Sequence, residues 1–325
     1  MHVPDGFLDL KTVTMTSVVA ASGVGWALRR LKRALPRRRV PLMGLAASFL
    51  FVAQMLNFPV AAGTSGHLIG AVLAAVLLGP SAAVVVVTAV LVVQALLFAD
   101  GGILALGANV CNMAIVAVVG GYAAFRGLTR LLPGERGLLA ATAFASWWSI
   151  LLAAIACAAE LAISGVAPWR LVFPAMAGVH MVIGVGEGLI ASLVIAAILR
   201  TRPDLVWATA ATGAVPGAQA SRLRLPVTFV LLIMVVLVVF GVPLASTRPD
   251  GLEWVAGMLG FARRAASPVV PAPMPDYQAA ALGSGTAATW AAALAGTLVV
   301  FLLSYGLAIV LARRPGAVSS AGARG

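Results

Sequence analysis

A histidine at position two can chelate a metal ion together with the chain terminus, and this sequence begins Met1-His2. The α-amine, the His2 amide nitrogen and the His2 ring would close adjacent chelate rings on one ion. Nitrogen ligands in a tetragonal plane suit Ni²⁺ or Cu²⁺. Because the amide must lose its proton, such binding should weaken at low pH. The alternative is an accidental, disordered terminal histidine.

The residues that follow bear on whether this histidine could reach a site in the folded protein. No basic stretch and no small-residue cleavage site follow Met1, so we expect no cleaved signal peptide and a chain that starts at Met1. Pro4 fits the second position and Gly6 the fourth position of a predicted tight turn over residues 3–6. Such a turn would fold the two-residue tail back toward the rest of the protein.

His67 is the candidate for a fourth nitrogen ligand. It follows Thr64-Ser65-Gly66 at the start of the third apolar segment, where Thr64 or Ser65 is expected to cap a helix. The alternative is a histidine at the membrane interface that binds nothing. Further polar residues that could support metal ligands by hydrogen bonding are Asn57, Ser65, Asp100 and Asn109.

His180 and Glu187 form a second candidate pair inside a glycine-rich apolar segment. They are seven residues apart and therefore share one face of a helix. Ionisable groups inside a membrane are functional candidates, and these two could relay an ion through a self-sufficient secondary permease. The alternative is a polar pair whose hydrogen bonds are satisfied within the bundle.

The elements that position these residues follow from composition. Hydrophobic residues make up 62% of the 325 residues and charged residues 10%, whereas soluble domains carry about 25% charged residues. We therefore predict an all-α, polytopic membrane protein. Its nine predicted spans are 10–28, 40–57, 67–79, 81–98, 107–125, 138–163, 173–199, 225–243 and 285–311.

Basic residues set the predicted orientation in the cell membrane. They concentrate in four stretches, at residues 29–39, 126–136, 200–224 and 313–324. Each stretch follows an odd-numbered span, which places the N-terminus outside and the C-terminus inside. An odd number of spans requires the same arrangement.

A Pro-, Ala-, Thr- and Gly-rich stretch at residues 201–224 predicts a cytoplasmic linker. It divides a seven-span domain at residues 1–200 from a two-span region at residues 225–325. The outer loop of that region carries Arg248-Pro249-Asp250-Gly251-Leu252-Glu253.

Several function classes are excluded by missing patterns. The two lysines, Lys11 and Lys32, lie in no phosphate-binding loop, so the chain has no ATP site of its own. There is no HExxH sequence and no CxxC pair, which argues against a zinc enzyme. The net charge of +12 is spread between apolar spans, so we expect membrane lipid and no nucleic acid as a partner.

Taken together, the motifs resemble those of the CbiM/NikM family, the substrate-binding components of energy-coupling-factor transporters for cobalt and nickel. The resemblance covers the first 200 residues. The matching stretches are Met1 to Leu8, Asn57 to His67, Phe98 to Asn109 and His180 to Glu187. The Pro-Asp-Gly-Leu-Glu stretch at residues 249–253 resembles the small CbiN/NikN component, here fused at the C-terminal side.

The resemblance implies a fold, a ligand set and partners. The fold is a seven-helix bundle into which the N-terminus inserts. The implied ligands are the Met1 amine, the His2 amide and ring, and the His67 ring, for Ni²⁺ or Co²⁺ as transported substrate. The implied partners are a transmembrane coupling subunit of CbiQ/NikQ type and ATPase subunits of CbiO/NikO type. The Pro-Asp-Gly-Phe start favours nickel.

Overall fold

The computed structural model describes residues 1–212 and 227–312, and helices dominate it, at 78% of the structure. Helices occur at all nine predicted positions, and two short ones, α8 and α10, are additional. The helices are α1 Leu10–Ala34, α2 Val40–Met55, α3 Ala71–Leu78, α4 Pro80–Phe98, α5 Leu106–Leu131, α6 Gly134–Ile163, α7 Trp169–Thr201, α8 Trp207–Thr212, α9 Val227–Gly241, α10 Gly251–Leu259 and α11 Thr286–Leu311. The all-α membrane fold is confirmed.

Part of the predicted organisation lies outside the described residues. This holds for residues 213–226, which include half of the predicted linker and the first two residues of the eighth span, and for the basic residues beyond 312. Within the linker, residues 207–212 form α8.

Five helices in the described part of the chain, α4, α5, α6, α7 and α11, are long and apolar enough to cross a membrane. The others fall short for identifiable reasons. α1 has 25 residues, but Lys11 and several Thr, Ser and Gly residues make it less apolar than a spanning helix. α2 and α9 have 16 and 15 residues against the about 20 needed for a full span. α3 has eight residues, or about 12 Å of helix at 1.5 Å per residue.

The chain before α3 folds differently from the prediction. Phe58–Pro59 (β1) pairs antiparallel with Ser65–Gly66 (β2), and α3 starts only at Ala71. The residue before it, Gly70, has a φ of +71° and no side chain caps the helix, so the expected Thr64 or Ser65 cap was wrong. All eight residues of α3 are buried, which lets this irregular segment sit among other helices.

The C-terminal helices pack on the seven-helix bundle at two places. α11 lies along α2, with further contacts to α4, whereas α10 packs on α7. α6 and α7 form the most extensive helix pair. The loops between α9 and α11 therefore run over the end of the bundle that also receives the N-terminus.

Candidate functional site: an N-terminal metal centre

The N-terminal tail is fixed inside the bundle by Asn109. The Asn109 side chain accepts from the Val3 amide at 2.7 Å and donates to the Val3 carbonyl at 3.1 Å. Gly102 donates its amide to the same carbonyl at 2.9 Å. Val3 is fully buried and Met1 is buried. The first residues are therefore held by backbone and amide contacts before any metal is considered.

Asp5 connects this tail to the seven-helix bundle and to the C-terminal region. Its Oδ1 accepts from the amides of Leu104 and Ala105 at 2.9 and 3.2 Å, and its carbonyl accepts from Ala266 at 2.8 Å. The turn is centred on Asp5 and Gly6, one residue later than predicted. Gly6 has a φ of +90°, a conformation that glycine adopts without steric cost, and this sets the register of the turn.

The Met1 amine lies between two side chains from distant parts of the sequence. It is 2.5 Å from His67 Nε2 and 2.6 Å from Asp250 Oδ2. The His2 ring stacks on the His67 ring, with centroids 5.1 Å apart and planes 19° apart. The structure thus brings together the three predicted ligand residues, and it adds a carboxylate that was not predicted.

Asp250 serves this site and the start of α10 at once. Its Oδ1 accepts from the amides of Leu252 and Glu253 at 2.8 and 2.9 Å, and Glu253 returns a bond to the Asp250 amide at 3.0 Å, which completes a capping box. This leaves Oδ2 for the Met1 amine. Burial opposes ionisation, but the Met1 ammonium and His67 hold the pKa of Asp250 well below its usual range.

A small cavity of about 10 Å³ lies beside the amine, bordered by Met1, His67, His180 and Asp250. This is about the room of one water molecule. Burial, followed by the positive Met1 amine, lowers the pKa of His67 to about 3. The ring is therefore neutral at physiological pH, which is the form that binds metals.

The His2 ring has its own partners on the other side. His2 Nδ1 lies 3.0 Å from Asp100 Oδ1, and Tyr277 donates its hydroxyl to Asp100 Oδ2 at 2.5 Å. Burial of Asp100 opposes ionisation, but the His2 ring and the Tyr277 hydroxyl together hold its pKa well below the usual range. Tyr277 is kept in place by stacking on Phe98, with ring centroids 4.6 Å apart.

The loop that carries His67 is tied to the C-terminal region. Ser65 donates its hydroxyl to the Arg248 carbonyl at 2.7 Å and its amide to the Pro249 carbonyl at 2.9 Å. Asn57 enters through its backbone, since its carbonyl accepts from Ser246 at 2.8 Å. Ser65 and Asn57 thus hold the Asp250 segment against the His67 loop.

Glu187 and His180 support the site from α7. The Glu187 carboxylate accepts from the amides of Ile69 and Gly70 at 2.7 and 2.8 Å, which fixes the backbone just after His67. His180 Nδ1 lies 2.8 Å from the Met176 carbonyl. Its ring packs so closely on Gly251 that a Cβ there would lie 2.7 Å from Cε1.

Asp250 and Tyr277 are the two site residues that sequence reasoning missed. The Asp-Gly-Leu-Glu spacing at Asp250 is the pattern of a capping box, which signals a helix start and not a contact with Met1. No sequence pattern around Tyr277 indicated that it belongs to this site. Within the described ranges, no three His, Cys, Asp or Glu side chains are arranged to hold a metal ion, so a metal site here depends on backbone and terminal nitrogens.

Two family models match the chain. The CbiM model, described as a cobalt uptake substrate-specific transmembrane region, matches residues 2–205. The PDGLE domain model matches residues 224–313.

Relatives and solved structures agree with these matches. A relative from Archaeoglobus fulgidus, provisionally named a fused nickel transport protein NikMN, is 36% identical over 94% of this chain and 98% of its own. The cobalt transport protein CbiM of Geobacter sulfurreducens is 32% identical over 78% of this chain and 75% of its own. A crystal structure of a truncated transition metal transporter covers 62% of this chain and 99% of that chain, with a TM-score of 0.57 and 34% identity.

Proposed function

The chain belongs to the CbiM family of nickel and cobalt transport proteins, and from this premise we propose that it is the substrate-capture subunit of an ATP-driven nickel or cobalt uptake transporter. The metal ion would bind at the outer face, through the N-terminus. The observation that carries the proposal is the 2.5 Å approach of the Met1 amine to His67 Nε2. This contact brings together two nitrogen donors that lie 66 residues apart in the sequence.

The proposed ligands are the Met1 amine, the His2 amide nitrogen, the His2 ring and His67 Nε2. Four nitrogens in one plane suit Ni²⁺. Nδ1 is the ring nitrogen of His2 that can close a six-membered chelate with its own amide. A metal bound there would take the place of the contact between His2 Nδ1 and Asp100. The amine and the amide each give up a proton, so binding would release protons to the solvent.

Two carboxylates would support this centre electrostatically. Asp250 Oδ2 is 2.6 Å from the amine, and Asp100 Oδ1 is 3.0 Å from His2 Nδ1. Negative charge beside the ligands offsets the charge of a divalent ion in a buried site. Asp250 would also accept a hydrogen bond from the ligating amine and so orient it, whereas Asp100 would act through its charge. The C-terminal region would therefore take part in metal capture through Asp250.

Transport itself would need other subunits. The chain carries no phosphate-binding loop, so we propose a coupling subunit of CbiQ/NikQ type and ATPases of CbiO/NikO type as partners. A permease that relays ions through His180 and Glu187 is the less favoured function. Both Glu187 oxygens accept backbone amides, and such a carboxylate positions the His67 loop more readily than it carries an ion.

The test extends the N-terminus by two residues, with the same two residues added after Gly325 as the matched control. We expect the N-terminal extension to abolish Ni²⁺ binding in calorimetry, because it removes the amine, whereas the C-terminal extension leaves binding unchanged. His67→Ala should weaken binding by more than about 100-fold, since loss of an outer supporting group alone costs about 10–100-fold. The same titrations with Co²⁺ and Cu²⁺ rank the metals.

Undiminished Ni²⁺ binding by the N-terminally extended protein would rule out the amine as a ligand. Uptake assays separate the two transport mechanisms. Accumulation of Ni²⁺ in cells that lack the coupling subunit and the ATPases would favour the permease, and accumulation only in their presence would favour capture.

A further inference from the structure

A second cavity lies at the opposite end of the bundle, where α1 ends and α4 begins. Its volume is about 350 Å³, within the range of small-molecule sites. Three arginines, Arg30, Arg38 and Arg39, line it together with the start of α4 and Trp207. By the predicted orientation this end faces the cytoplasm.

The positive charge in this cavity is not balanced by the described residues. None of the ion pairs they form involves Arg30, Arg38 or Arg39. Asp204, which lies near enough to sense Arg38, is already engaged by Arg202 through two bonds of 2.9 and 2.8 Å. Arg39 Nη1 is buried and has no hydrogen-bond partner in the described residues. A buried guanidinium donor without a hydrogen-bond partner costs free energy, so a bound anion would stabilise this cavity.

The start of α4 adds to this preference. Ser81 and Ala82 in its first turn border the cavity, and the amides of a helix N-terminus carry partial positive charge that favours anions. The 19-residue α4 is long enough for this effect to develop. Guanidinium groups and helix amides together are the groups that bind phosphate.

The remaining wall is apolar. Leu31, Leu35 and Leu78 line it, and the Trp207 indole closes one side against Gly79. Tryptophan is enriched where membrane proteins meet lipid headgroups, and basic pockets at the cytoplasmic side of helix bundles suit anionic headgroups. We propose that this cavity binds the phosphate of an anionic membrane phospholipid, with the glycerol and upper acyl chain along the leucines.

Native mass spectrometry of the full chain in detergent tests this, with dioleoylphosphatidylglycerol as probe and dioleoylphosphatidylcholine as the neutral comparison. We expect tighter binding of the anionic lipid. The variant Arg38→Gln/Arg39→Gln should weaken it about 25-fold, at roughly fivefold per basic residue near the membrane surface. The matched control is Arg33→Gln/Arg37→Gln, which removes equal charge from exposed arginines outside the cavity and should keep most of the affinity.

Arg38 is exposed, so Arg38→Gln alone, with Arg37→Gln as its control, gives a second test if the double variant does not fold. Equal losses in cavity and control variants would overturn the proposal, because they indicate a diffuse surface charge. Unchanged lipid binding in the cavity variants would also overturn the proposal. This holds even if these variants impair assembly with a protein partner. Inorganic phosphate that binds as tightly as the lipid would overturn the lipid as the source of the phosphate.

Discussion

At the end of the bundle that holds the N-terminus, charged groups from distant parts of the chain contact one another directly. The Met1 amine meets Asp250, 249 residues away, and His2 meets Asp100. At the opposite end, three arginines line a cavity with no carboxylate paired to them in the described residues. Among the described residues, one end pairs a terminal amine and a histidine with carboxylates, while the other leaves three arginines without a paired carboxylate.

This difference shows at which end of the protein the seven-helix bundle and the C-terminal region are joined by direct contacts. At the outer end the contacts of Asp5, Ser65 and Asp250 join the bundle to the C-terminal region. Removal of a single group there should therefore disturb both the proposed metal ligands and the docking of that region. At the inner end, removal of an arginine should change only what binds from outside.

Among variants that keep the four proposed nitrogen ligands, the largest effect is expected from Asp250→Asn. Asparagine caps a helix about as well as aspartate, so α10 should remain, but the negative charge beside the Met1 amine is lost. We expect Ni²⁺ affinity to fall by about 10–100-fold, measured by calorimetry. Asp204→Asn, which removes a carboxylate at the opposite end, is the control. An unchanged affinity in Asp250→Asn would show that the C-terminal region contacts the site without supporting it.

Gly251→Ala tests whether the two parts of the chain depend on close packing. A Cβ there would lie 2.7 Å from His180 Cε1, whereas Gly257 on the same helix has open space around its Cβ position. Gly251→Ala should destabilise the protein by about 1–3 kcal/mol through overpacking. Gly257→Ala should be neutral or stabilising by up to about 1 kcal/mol. Thermal unfolding in detergent measures both, and equal melting temperatures would contradict the close contact.

Tyr277→Phe should have a smaller effect on binding. It removes the hydroxyl that bonds Asp100 but keeps the ring that stacks on Phe98. We expect Ni²⁺ affinity to fall about tenfold, near the lower end for outer supporting groups. Tyr305→Phe is the matched control, because that ring stacks on Phe301 within α11. Equal affinities of the two variants would remove Tyr277 from the site.

The last prediction concerns pH. Burial and the Met1 ammonium lower the pKa of His67 to about 3, whereas an unfolded histidine titrates near about 6.5. The unfolded chain takes up this proton first, so the stability of the folded protein falls as the pH drops from about 6.5 toward 3. In the presence of a chelator, His67→Gln should show a flatter melting-temperature profile between about pH 6.5 and 5. A profile with the wild-type slope would mean that another group titrates there.

Local patterns were enough to predict much of the molecule. The apolar segments gave the helix positions, because a chain in a membrane must satisfy its backbone within helices. The motifs around Met1, His2, His67 and Asn109 placed the candidate ligands and their support. The predicted turn was one residue early, since the need for a positive φ at Gly6 decides the register.

Contacts between residues far apart in the sequence could not be predicted from local sequence patterns. For Glu187 the sequence left open an ion relay or a polar group satisfied within the bundle, and it accepts the amides of Ile69 and Gly70. Tyr277 lies 177 residues from the Asp100 it contacts, and no sequence spacing specifies such a pair. The first contact depends on how α7 lies beside the start of α3, and the second on how the loop between α10 and α11 lies on the bundle.

The sequence by itself therefore determined the membrane class, the helix positions and the candidate nitrogen donors, because hydrophobicity and chain-terminal chemistry are properties of single segments. Only the tertiary structure decided that Asp250 faces the Met1 amine and that three arginines share one cavity. Such encounters are set by packing, which closes long loops and brings together groups whose separation along the chain carries no information about their distance in space.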